Sequence, residues 1–132
     1  MSLEIKDYKV LMALMDNTYH PTLTKLVAWC SVRHSKFMIT SAFRKNDSGV
    51  HGTIPCRGTD LRTWHFRGKG VTDEEFYKLM KMLENDTNKF WVYDPKRPTM
   101  KCAKYKSDAK KGPHIHLKVH DRTIYHEKGE TK

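Results

Sequence analysis

Polar and apolar positions change their period several times along the chain. In residues 3–15, Ile5, Tyr8, Met12 and Met15 fall on one helical face and predict a first helix. After His20-Pro21, residues Leu23, Leu26, Val27 and Cys30 recur at i, i+3, i+4 and i+7, which predicts a second helix over 22–33. "KFMITSAF", 36–43, is β-branched and aromatic and reads as a buried strand. "RKNDSGVHGTIPCRG", 44–58, is rich in Gly, Asn, Asp, Ser and Pro and reads as a loop. "TDLRTWHF", 59–66, alternates like a strand. Thr72 and Glu75 form a capping box ahead of Phe76, Leu79, Met80 and Leu83, which predicts a third helix over 73–85. Further strands are expected at 89–94, 101–106 and 114–119, with an edge strand at 122–126. Helices first, then strands with one helix among them, is the order of an α+β domain. A mainly antiparallel sheet with helices on one face is expected, in a single domain over 1–132.

Composition narrows the function classes. Lys and Arg number 25 against 15 Asp and Glu, a net charge of +10, which suits a polyanionic partner: nucleic acid, anionic membrane or anionic cell wall. The densest basic block, "KCAKYKSDAKK" at 101–111, reads as a solvated strand or loop rather than a binding patch. No helix-turn-helix, zinc-finger or RNP pattern is present, so a basic nucleic-acid-binding module accounts for the charge and little else. Cys30, Cys56 and Cys102 are odd in number and contain no C-x-x-C pair. Neither a disulfide framework nor a four-cysteine zinc site is expected, and reduced thiols made in a cytosol are. No apolar run is long enough for a membrane span, and "MSLEIKDYKVLMALMDN" lacks the order of a signal peptide.

The candidate chemistry gathers around "GPHIHLKVH", 112–120. Alternation on a strand puts His114 and His116 on one face, roughly 6–7 Å apart, and Ile115, Leu117 and Val119 on the core face. His120 precedes a turn at Asp121 and reads as a bystander. His51 lies in a glycine-rich loop, and Asp60, between Thr59 and Leu61, faces away from the core. Histidine, aspartate and histidine are a nitrogen and oxygen donor set suited to zinc with a fourth position open to water. Arg44, at the end of a buried strand, is placed to clamp a carboxylate. Cys56 is read as a ligand, a nucleophile with His51, or a buried thiol; Cys102 is read as a buried thiol within reach of the site. Trp64 and Trp91 are expected in the core, and His20, His34, His65 and His126 in structural or surface positions.

"TSAFR" (40–44), "SGVHGTIPCRGTD" (48–60) and "GPHIH" (112–116), in that order, resemble the zinc D-Ala-D-Ala carboxypeptidases and L-alanyl-D-glutamate peptidases. These include bacteriophage endolysins and are related in fold to the Hedgehog signalling domain. The resemblance covers residues 36–120. It implies a Hedgehog/DD-peptidase-like fold and a monomeric zinc peptidase, phage- or prophage-encoded, that cuts peptidoglycan stem peptides. Made in the cytoplasm, such a protein would act at the wall after release, or in a virion. It makes His51, Asp60 and His116 zinc ligands and His114 the catalytic partner. Arg44 would hold the substrate carboxylate or the developing oxyanion, with Ser48 also at the substrate. Two departures stand out. The family places fewer residues between its first histidine and the aspartate than the eight, 52–59, found here. Pro113 stands where many relatives carry an acidic base, which leaves acid–base work to His114. A zinc-bearing but inactive wall-binding relative is the alternative.

Overall fold

Thr72 opens the longest helix as its capping box requires. In the computed structural model, which describes residues 3–5, 8–16, 18–34, 37–41, 49, 52–63, 72–107 and 112–127, its hydroxyl accepts from the Glu75 amide at 3.1 Å. That helix, Asp73–Phe90, is α3 in chain order. Asp73, Glu74 and Glu75 occupy its first turn and Lys89 its last, each matching the sign of the helix dipole. Phe76, Met80, Leu83, Thr87 and Phe90 form one buried stripe. Because Thr87 and Phe90 continue that stripe, the helix runs past 85. The strand expected at 89–94 shrinks to β4, Trp91–Val92. Helix α2, Pro21–Arg33, has its proline at the first position, where no amide is needed. His20 caps it, with Nδ1 accepting from the Thr22 amide at 3.1 Å.

The N-terminal expectation is corrected. Leu3–Ile5 is a strand, β1, and among the described residues of this stretch the helix is Tyr8–Asp16, α1. β1 pairs in parallel with β2, Phe37–Ser41, and so covers an edge that would otherwise present unpaired amides and carbonyls. Three residues fit either period, and the available sheet edge decides between them. The expected apolar face of α1 is corrected too. Met12 and Met15 are exposed, whereas Val10 is buried and Ala13 and Leu14 pack on the core.

The main sheet has the order β1-β2-β3-β6-β5, where β3 is Gly58–Thr63, β5 Ala103–Lys106 and β6 His114–Lys118. Every pairing after the first is antiparallel. β7, Ile124–Tyr125, is not an edge of this sheet but pairs with β4 in a separate ribbon. Ile39, Leu61, Ile115 and Leu117, alternate residues of three adjacent strands, share one buried cluster with Val10, Leu23, Leu26, Phe76, Met80 and Leu83 of the helices. The result is an α+β fold with a mainly antiparallel sheet and one core under three helices. No described helix is long and apolar enough to cross a membrane.

β5 lies at the edge of the sheet, and α3 closes that edge with side chains. Asn88 donates to the Ala103 carbonyl at 2.7 Å and accepts from the Ala103 amide at 3.0 Å. Glu84 accepts from the Tyr105 amide at 2.6 Å.

Candidate active site

Asp60 and His116 meet because β3 and β6 pair in the register Asp60↔His116. Leu61 and Ile115, the next pair along, turn into the core and are fully buried, so Asp60 and His116 turn to the opposite face. His116 Nδ1 lies 3.0 Å from Asp60 Oδ1. Asp60 is 2% exposed, and a carboxylate at that depth requires a charged or hydrogen-bonding partner. The imidazole Nδ1–H donates to the carboxylate, a proton that a bound metal would replace.

The spacing of the pair is that of a hydrogen bond and is also compatible with two ligands of one metal ion. Two ligands about 2.0–2.1 Å from a tetrahedral zinc stand roughly 3.3 Å apart, close to the 3.0 Å separation found here. Among the described residues no group of three His, Cys, Asp or Glu side chains gathers around one point. His51, the third proposed ligand, lies outside the described residues, as do Arg44 and Ser48.

His114 stands on the same strand and face as His116, opposite Lys106, and is 4% exposed. Its Nδ1 is 3.0 Å from the Gly112 carbonyl. A carbonyl only accepts, so Nδ1 carries a proton, which leaves Nε2 as the nitrogen that can bind or release one. Gly112 has φ +67°, a left-handed conformation that glycine adopts at no steric cost. Arg62 Nε donates to the Pro113 carbonyl at 2.9 Å and pins the entry to β6. Pro113 thus brings no acid to the site.

The remaining candidates separate cleanly. His120 leaves the row because β6 ends at Lys118. Its ring packs 5.5 Å from Tyr93 and faces Asp94 at 3.8 Å. Asp94 is held below its usual carboxylate value, first by the Lys96 amide and then by His120, Arg122 and Arg97 around it. His20 spans the α2 cap and Asp121, and His34 binds Asp86 at 2.6 Å, both structural tasks. His126 joins the core ribbon through its backbone, donating to the Phe90 carbonyl. Trp91 is buried as expected; Trp64 and His65 lie outside the described residues.

Cys30, Cys56 and Cys102 are thiols rather than half-cystines, and all three are fully buried. Burial pushes the thiols of Cys30 and Cys102 up to about 12, far from a nucleophile's range. Cys56 donates its S–H to the Gly58 carbonyl at 3.2 Å, which directs the sulfur to backbone.

The basic environment beside His116 is a feature that composition alone does not locate. β5–β6 pairing sets Lys104 opposite His116 and Lys106 opposite His114. Lys118 continues the same face of β6, where burial and then the nearby Lys106 and Lys104 lower its pKa. No protein-family model, no curated protein and no solved structure matches the chain.

Proposed function

We propose that the chain is a zinc-dependent peptidase acting on the stem peptides of peptidoglycan. The observation that carries this reading is the in-register pair of buried Asp60 and half-buried His116, with His114 beside it on the same strand face. A buried carboxylate and a half-buried imidazole on the face of the sheet away from the core add nothing to that core. Their convergence is better explained by a bound ion and its chemistry. His51 would complete the donor set, with Arg44 and Ser48 at the substrate.

Bound zinc supplies Lewis-acid polarisation of a carbonyl and a water of lowered pKa. Asp60 and His116 would hold the ion from two adjacent strands, whose hydrogen-bonded pairing fixes their spacing. His114, its Nδ1–H committed to Gly112, offers Nε2 to accept and return a proton during amide cleavage. Arg44 would neutralise a substrate carboxylate or the developing oxyanion.

The test has two arms: elemental analysis of protein purified without added zinc, and release of new amino groups from purified peptidoglycan. We expect about one zinc per chain. His116→Ala should lose both metal and activity. His114→Gln should keep the metal and lose on the order of a hundredfold or more in rate. A wild type without zinc would sink the reading. Zinc without new amino groups would favour an inactive wall-binding relative, the second reading, to which Pro113 lends weight.

A further inference from the structure

Beside His116 runs a groove of about 490 Å³ lined by Lys101, Lys104, Lys106 and Lys118. Three of these come from β5 and the residues before it, and one from β6; only strand pairing brings them together. None of the four meets a carboxylate among the described residues; Lys118 has instead the ring of Tyr93 at 5.1 Å. Glu84 also lines the groove, but its two oxygens are taken by the Tyr105 amide and by Lys81. Surfaces ordinarily intersperse charges of both signs, because gathered like charges repel and destabilise the fold. Four uncompensated lysines around one concavity therefore mark a site for anions.

The kind of anion follows from three features. Lys104 and Lys106 are alternate residues of one strand, so their stems leave the sheet roughly 7 Å apart. Alternate side chains of an extended peptide have the same repeat. No Phe, Tyr or Trp ring lines the groove, whereas single-stranded nucleic acid is held largely by stacking its bases on such rings. A duplex binder neutralises about six to ten phosphates, more than four lysines supply. The backbone edge of β5 is closed by Asn88 and Glu84, so recognition runs through lysine side chains and not by strand addition.

We propose that this groove binds a carboxylate-bearing stretch of peptide and presents the adjoining bond to Asp60, His114 and His116. Presentation of the bond rests on the peptidase reading; binding of the acidic peptide does not.

Fluorescence anisotropy with a fluorescein-labelled hexaglutamate at about 50 mM salt tests it, where charge contacts are weakly screened. The groove variant is Lys104→Gln/Lys106→Gln/Lys118→Gln. The control, Lys9→Gln/Lys25→Gln/Lys78→Gln, removes the same charge from exposed positions outside the groove. We expect about tenfold weaker binding by the groove variant and less than about twofold by the control. Equal weakening by the two variants would overturn the proposal, since net charge alone would then explain the affinity. A labelled hexathymidylate that binds as tightly as hexaglutamate would overturn it in favour of nucleic acid. Because anisotropy reads binding alone, this result stands whether or not the wild type hydrolyses wall peptide.

Discussion

Gly112 enters β6 with a left-handed backbone, and its carbonyl accepts from the His114 ring. Its φ of +67° is costly for any residue with a Cβ, yet a Cβ built there meets nothing closer than Arg62 at 3.8 Å. Space is therefore ample, and conformation alone sets the penalty. Gly112→Ala should lower stability by about 1–2 kcal/mol in urea unfolding. Gly112→Asn, which tolerates the left-handed region, should recover part of that loss. A smaller effect of alanine than of asparagine would contradict this account. The alternation of "HIHLKV" already separated Ile115 and Leu117 from His114 and His116, because a two-residue period is a local property. The Gly112 hydrogen bond was not legible, since it depends on the backbone path through Pro113 and on the His114 rotamer. His120 was expected to lie apart, but its packing on Tyr93 and its approach to Asp94 come from residues over twenty positions away.

The element scale is governed by what covers the sheet's edges. β1 covers one edge by joining it, and Asn88 with Glu84 covers the other by imitating a strand. Asn88→Ala should cost about 2 kcal/mol, because two backbone groups of Ala103 lose their partner together. The same variant should aggregate faster on partial heating, as light scattering would report, through the newly opened edge. An unchanged midpoint and unchanged scattering would show that the edge needs no such cover. Element types were legible wherever the period persisted, as in α2 and α3. Ends were not. α3 continues because Thr87 and Phe90 find space in the core, and Leu3–Ile5 is extended because β2 offers it hydrogen bonds. Both decisions belong to tertiary contacts that no local window contains.

Across the whole molecule, the class α+β followed from the order of elements, but the strand order β1-β2-β3-β6-β5 did not. The juxtaposition of Asp60 with His116 and the gathering of the lysines both follow from that order, so charge and spacing alone could only suggest them. The three thiols are all fully buried: Cys30 of α2 and Cys102 before β5 lie in the main core, and Cys56 lies outside that cluster at the approach to β3. A water-borne disulfide reagent cannot reach them while the chain is folded. If the fold opens as one unit, an excess of such a reagent in native buffer should consume about three equivalents per chain along a single exponential. A fast phase worth one thiol would instead identify a part that comes loose ahead of the rest. The chain thus carries a built-in clock for its own opening, one that keeps time with no substrate, metal or label attached.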